Sequence, residues 1–223
     1  TIERHSNEDT VWFVADIYLR NVESYRTALA RDVFGKGYHE WPLKMAQEKN
    51  AILAISGDYC GTRTKGVVVR NGVVYRKTFK DVCLLYYDGV METMPAKQFN
   101  ADAAIARGVY QAFSFGPALL DKNGKAMEEY DTEIERVNPR CAIGYYEPGH
   151  YCFVVVDGRQ SGYSRGMTIQ QLAQTFEALG CKAAYNLDGG KTAVMIFDGK
   201  KVNTPADGGR KISDIVYIGE VAE

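Results

Sequence analysis

The chain has no run of 18 or more apolar residues, no Cys-x-x-Cys pair, no block of consecutive basic residues and no linker rich in Pro, Ser or charge. The first absence leaves no segment that reads as a membrane-spanning helix. Five cysteines, an odd number without zinc-type spacing, indicate neither a metal site nor a complete disulfide framework, so they read as small buried hydrophobes. Lys and Arg total 27 against 28 Asp and Glu, a formal charge of −1, and without a basic stripe a nucleic-acid partner is not expected. Internal repeats and low-complexity tracts are missing too, and 223 residues without a linker predict a single domain over 1–223. The chain begins at Thr1 rather than Met, which leaves room for a leader or membrane anchor ahead of it.

What is present is a succession of short strands. β-branched and aromatic residues fill 11–19, a short helix over 42–49 feeds an apolar run over 51–55, and Asn71-Gly72 between two valine-rich runs is a strong hairpin signal. A helix over about 101–107 is stopped by Gly108, and a nearly continuous apolar strand covers 151–156. Thr168 and Gln171 form a capping box opening a helix that Gly180 closes, and a strand then runs to Leu187. Asp198-Gly199 turns another hairpin, and 212–218 is the last strand. Strands outnumber helices and most neighbours are hairpins. This predicts an α+β fold, a largely antiparallel mixed β-sheet with a few packed helices, in which only the 151–187 unit has the form of a parallel crossover.

Chemistry concentrates where apolar strands end. Ile55 leads to Ser56-Gly57-Asp58, Val156 to Asp157-Gly158-Arg159, and Leu187 to Asp188-Gly189-Gly190. Each supplies a carboxylate beside a glycine; the strand ends either converge on one rim or are unrelated Asp-Gly turns. In Asn186-Leu187-Asp188-Gly189-Gly190-Lys191-Thr192 an amide, an acid, two glycines, an ammonium and a hydroxyl follow one another, and paired glycines let a ligand approach the backbone. Arg140 opens an apolar segment, and Arg63 and Arg210 sit in glycine-containing loops; guanidinium groups match phosphate or carboxylate bidentately. Gly190-Lys191-Thr192 is not a P-loop, because Tyr185 stands where that motif needs glycine. His150 has no second ligand at metal spacing and reads as structural or site-lining, and Ser114 lacks a nucleophile-elbow frame.

Taken in order, Ser56-Gly57-Asp58-Tyr59, Val69-Arg70-Asn71-Gly72, Ser114-Phe115-Gly116-Pro117, Asn138-Pro139-Arg140-Cys141, Val156-Asp157-Gly158-Arg159, Ser164-Arg165-Gly166, Asn186-Leu187-Asp188-Gly189-Gly190 and Gly209-Arg210 give a sequence that resembles the phosphodiester glycosidase family over nearly its whole length. The resemblance implies an α+β domain, often outside the cytoplasm, that cleaves between a sugar's anomeric carbon and a phosphodiester oxygen. Its departures are Ser56 for the usual Asn, Cys141 for Thr, and Lys191-Thr192-Ala193 for Gly-Ser-Ser.

A phosphomonoester, with a second pKa of about 6, leaves as an anion far more readily than a sugar alkoxide, so cations and N–H donors replace the usual acid. On that logic Arg140, Arg159 and Lys191 with the Gly189-Gly190 backbone hold the phosphate. Asn186, Thr192, Arg210 and His150 line the substrate site, and Asp188, Asp157 or Asp58 is the catalytic carboxylate. The substrate is a small molecule or glycan carrying a sugar-1-phosphodiester, with no cofactor and no metal. The competing readings are a phosphosugar or teichoic-acid binding module and a metal-dependent phosphodiesterase with Asp58, Asp157 and Asp188 as oxygen ligands.

Overall fold

The computed structural model describes residues 1–78 and 80–221. In chain order the strands are β1 (Ile2–Ser6), β2 (Val11–Tyr18), β3 (Tyr25–Leu29), β4 (Leu53–Ser56), β5 (Val67–Arg70), β6 (Val73–Lys77), β7 (Val82–Tyr86), β8 (Met91–Met94), β9 (Val109–Phe113), β10 (Arg140–Glu147), β11 (His150–Val156), β12 (Ala183–Asn186), β13 (Met195–Phe197), β14 (Lys200–Lys201) and β15 (Asp214–Ile218). Three α-helices join them: α1 (Pro42–Glu48), α2 (Ala101–Ala106) and α3 (Ile169–Ala178). The strands form three five-stranded sheets, β1-β2-β11-β10-β12, β14-β13-β4-β15-β3 and β6-β5-β9-β7-β8, whose ladders are all antiparallel among the described residues.

One face of every sheet turns to a shared interior. Phe153 and Ile143 from the first sheet, Ile55 and Val216 from the second, and Leu85 and Phe113 from the third belong to a single apolar cluster. The residues between them in sequence point outward, and each outer face is covered by its own helix. Val154 and Ala142 meet α3 through Ile169, Leu172, Ala173 and Phe176; Ala54 and Ile215 meet α1 through Met45 and Ala46; Leu84 and Ala112 meet α2 through Ala104. Burial on both faces explains why these strands read as continuous apolar runs rather than alternating ones. The α3 contacts fall at i, i+3, i+4 and i+7, the stripe of an amphipathic helix, and truncating Phe176 to alanine costs about 3–5 kcal/mol by the usual scale for buried aromatics.

Local signals set the boundaries. Pro42 occupies the first turn of α1, Asn100 caps α2 by accepting from the Ala103 N–H at 3.0 Å, and the Thr168–Gln171 capping box is formed in both directions, at 3.1 and 2.9 Å. All five cysteines are buried free thiols. The 151–187 crossover is real but opened out: β11 and β12 are both antiparallel to β10, hence parallel to each other, with β10 between them. That insertion sets the functional rim, because it places the start of β10 beside the ends of β11 and β12.

Candidate active site

Arg140 at the start of β10 pairs with Val156 at the end of β11, and Ala142 pairs with Asn186 at the end of β12. The end of β4, from the second sheet, joins this rim through the main chain. The Asp188 N–H donates to the Gly57 carbonyl at 3.0 Å, and the Ser56 hydroxyl donates to the Asp188 carbonyl at 2.9 Å. The three Asp-Gly strand ends therefore do gather at one place. Gly189 is needed there: a Cβ would lie 2.6 Å from the Pro139 carbonyl oxygen. Gly190 adopts φ +65°, with its α-carbon turned toward the Arg159 guanidinium, and its N–H is spent on the Pro139 carbonyl at 2.9 Å. The glycine pair thus brings the chain close to β10, while the Gly190 N–H is not free to hold an anion as the sequence suggested.

The rim encloses a cleft of about 330 Å³ walled by Arg140, Arg159, Arg210, Lys191, Asp188 and the side chains of Phe115 and Ile134. Larger hollows of about 920 and about 1530 Å³ lie elsewhere, lined by neither Asp188 nor these four cations. Asp188 is only 7% exposed. Its Oδ2 accepts no hydrogen bond, and its closest cation is Arg210 Nη2 at 3.6 Å. Burial pushes its pKa up to about 6, with Arg210 pulling partly the other way. Arg140 is buried and spends its guanidinium on main-chain carbonyls: Nε on Met167 at 2.9 Å, Nη2 on Ile134 at 2.7 Å and on Arg136. Burial and then the charge of Arg159 depress its pKa to about 10. Arg159 is held by Asn138, whose Oδ1 accepts from Nε at 3.0 Å and Nη2 at 2.7 Å. Lys191 is tied outward to Asp207 at 2.6 Å. Among the described residues neither Arg140 nor Arg159 has a carboxylate partner, so the cleft holds two uncompensated cations beside one buried acid.

The profile of the phosphodiester glycosidases matches residues 49–219. The chain belongs to the phosphodiester glycosidase family. It is 30% identical over 185 residues to YomE, an uncharacterized SPbeta prophage-derived protein of Bacillus subtilis strain 168, covering 78% of this chain but 29% of that one. The chain thus spans less than a third of that relative's length. Its fold superposes on the catalytic domain of zebrafish N-acetylglucosamine-1-phosphodiester alpha-N-acetylglucosaminidase, auto-inhibited by its pro-peptide, with a TM-score of 0.76, 18% identity, and coverage of 99% of this chain and 83% of the other. A candidate exported protein of Burkholderia pseudomallei K96243 superposes with a TM-score of 0.65 at 14% identity, covering 94% and 74%.

Within this family member, three expected site residues need correction. Asp58 does not line the cleft; it lies in a buried ion cluster. Its Oδ1 accepts from Arg70 Nη2 at 2.6 Å and its Oδ2 from the Ser114 N–H at 2.9 Å, while its own N–H donates to Asp214 Oδ2 at 3.0 Å. Asp157 is equally occupied, accepting from the Asn203 amide at 2.7 Å, the Tyr163 hydroxyl at 2.8 Å and the Thr204 N–H at 3.1 Å, so it ties the loop after β11 to the 203–204 segment. His150 sits at the opposite end of β11, about 20 Å from the rim at ~3.3 Å per residue. There it is stacked between Tyr18 and Tyr146 with ring centroids 4.0 Å apart on each side, and paired with Asp16 at 2.7 Å.

Two other expected residues lie beneath the cleft rather than on its wall. Asn186 donates to the Gly116 carbonyl at 2.9 Å and leaves a buried Oδ1 without a partner; Thr192 donates to the Gly189 carbonyl at 2.6 Å. Sequence reasoning missed the roles of Asn138, Phe115, Ile134 and Asp207, and the Arg70–Asp214 pair beneath them. The signal for Asn138 was its place before Pro139-Arg140, in a motif already noted. Phe115 likewise lies in a family motif, Ser114-Phe115-Gly116-Pro117, whereas nothing local marks Ile134 as a wall residue. The triad proposed as oxygen ligands for a metal does not assemble. Among the described residues the only close group of metal-capable side chains is Asp58, Cys60 and Asp214, and the Arg70 guanidinium is bonded to both of its acids.

Proposed function

We propose that the cleft hydrolyses sugar-1-phosphodiesters at the bond between the anomeric carbon and the phosphodiester oxygen, releasing the sugar and a phosphomonoester. The observation that carries this reading is the pairing of one buried carboxyl, its Oδ2 without a hydrogen bond, with two guanidinium groups that have no carboxylate partner, across the same small cleft. Arg140 and Arg159 hold the phosphate and stabilise the charge that grows on it as the C–O bond breaks and the leaving oxygen takes the electron pair. Asp188, with its pKa about 6, is ionised near neutral pH. It accepts the proton of the water that attacks the anomeric carbon and lies beside the positive charge developing on the sugar ring. No second carboxylate among the described residues lines the cleft, which suits a leaving group that needs no protonation. Asn138 is a positioning residue, fixing the Arg159 fork.

The test is turnover of a sugar-1-phosphodiester in oxygen-18 water. Label in the sugar product alone supports the proposal; label in the phosphate would mean P–O cleavage and overturn it. Calorimetry showing phosphosugar binding with no product would instead favour a binding module on the same scaffold. We also place the protein outside the cytoplasm, supported by the candidate exported protein among similar folds. No helix among the described residues is long and apolar enough to cross a membrane. Cell fractionation decides the location.

A further inference from the structure

Beside the cleft, across Phe115 and Ile134, lies a second hollow of about 430 Å³ that shares those two residues as its wall. Two cations converge there on one neutral atom. Arg63 Nη1 donates to the Phe115 carbonyl at 3.0 Å and to that of Ser114 at 3.4 Å, its guanidinium lying 4.1 Å over the Phe115 ring; Lys80 Nζ donates to the same Phe115 carbonyl at 2.9 Å. Among the described residues neither makes a salt bridge. The acids of this hollow are otherwise placed: Asp81 accepts from the Ala96 N–H at 2.7 Å, and Asp131 and Glu133 are exposed. Two like charges held on a single oxygen repel each other. Lys80 shows the consequence, its pKa pushed down to about 8 by burial and then by Arg63. An anion between them would relieve both the repulsion and the lost hydration.

We propose that this hollow is a subsite for a second anionic group of the substrate, a phosphate or carboxylate on the part of the molecule that extends past Phe115. Resting on the glycosidase reading for the first cleft, it narrows the substrate class to sugar-1-phosphodiesters with a further negative charge beyond the diester. Arg63 links the two sites physically, since its charge also reaches Asp188. A third hollow of about 920 Å³ shares Asp81, Pro117, Tyr130 and Asp131 with the second, leaving room for a chain that continues.

The test needs no turnover. Calorimetry compares alkanediol bisphosphates of increasing length with the corresponding monophosphates, and with monophosphates ending in a carboxylate. At one length the doubly charged probe should bind about ten-fold more tightly than the monophosphate, the worth of one additional charge-assisted contact. Lys80→Gln and Arg63→Gln should each abolish that gain, with Lys80→Gln leaving monophosphate affinity unchanged, whereas Arg159→Ala should weaken both probes. Two variants guard against misfolding in either one. A gain with phosphate or with carboxylate supports the subsite and identifies its anion. Equal affinity of singly and doubly charged probes at every length, or a gain that survives both substitutions, overturns it. Failure of the oxygen-18 experiment alone would remove the glycosidase reading and leave this binding result standing.

Discussion

Two acid–guanidinium clusters lie at the ends of strands in this molecule, and they differ in how completely their hydrogen bonds are made. Around Arg70, both oxygens of Asp58 are bonded and Asp214 is shared between Arg70 and the Asp58 N–H. Around Asp188, one carboxylate oxygen is bare and the nearest guanidinium stands off at 3.6 Å. Buried polar groups in folded proteins are almost always satisfied, so the bare oxygen is the informative one. The Asp58 and Asp214 carboxylates are filled from within the chain, with only Arg70 Nε left bare, whereas the Asp188 carboxylate keeps an acceptor oxygen that no group of the chain fills. Their sequences, Gly57-Asp58 and Asp188-Gly189, are nearly mirror images, so composition alone does not separate them.

The largest effects break the comparison apart. Asp188→Asn should lower kcat by about 10²–10⁴-fold, the usual worth of a positioned general base, with no loss of folding stability. Asp58→Asn should do the reverse. Removing one charge from a buried pair leaves Arg70 partly uncompensated, at a cost of about 3–5 kcal/mol in denaturant unfolding, while enzyme that remains folded keeps near-normal kcat. If Asp58→Asn abolished kcat in fully folded protein, the assignment of the two clusters would be exchanged.

The next effect sharpens the contrast through pH. The Asp188 pKa rises on folding from the ordinary 3.8 to about 6, so between those values the native state binds the proton more readily than the unfolded chain. The stabilisation from holding that proton is complete below about pH 4 and is lost as pH climbs through about 6. At pH 7 to 8 wild type therefore carries a burden of about 3 kcal/mol that Asp188→Asn does not. The variant should unfold at higher denaturant than wild type at pH 7.5, with the difference vanishing near pH 4. Over the same window kcat/KM should fall as pH drops through about 6, because the base of the free enzyme becomes protonated. A stability difference independent of pH would mean that Asp188 is not held in the raised state that burial imposes.

Much of this arrangement was legible in the sequence. Strand ends, the Asn71-Gly72 hairpin and the capping box at Thr168 are local events, encoded within a few residues, and they lie where the pattern put them. Whether the three strand ends share a rim was left open by the sequence, since β11 and β12 belong to one sheet and β4 to another, and the bonds from Asp188 to Gly57 and from Ser56 to Asp188 are what join them. What was not legible is which acid lines the cleft. The Asp157 carboxylate is occupied by the Asn203 amide, 46 positions away, and the Asp58 carboxylate by Arg70 and the Ser114 N–H, 12 and 56 positions away, so no short window of sequence contains all the bonds that decide their role. His150 shows the same limit in another form: Pro148-Gly149-His150 looks like a loop leading to a site, but strand direction sends it to the far end of β11.

The smallest effect concerns Lys191, where the family's third glycine is replaced. Its ammonium is bound to Asp207 at 2.6 Å, and both side chains are largely exposed. An exposed pair of this kind is worth about 0.2–1 kcal/mol, so Lys191→Gly should change unfolding free energy by no more than that. The effect on phosphate binding is correspondingly modest. Lys191 lines the cleft but faces away toward Asp207, so inorganic phosphate should lose less than about five-fold in affinity, against ten-fold or more for Arg159→Ala. Asp207→Ala makes the decisive comparison. Releasing the ammonium from its tether leaves it free to swing toward a bound anion, so phosphate affinity should rise in Asp207→Ala and fall back in the Lys191→Gly, Asp207→Ala double variant. If Asp207→Ala instead weakens binding, the tether positions Lys191 for the anion, and the cleft holds three working cations rather than two.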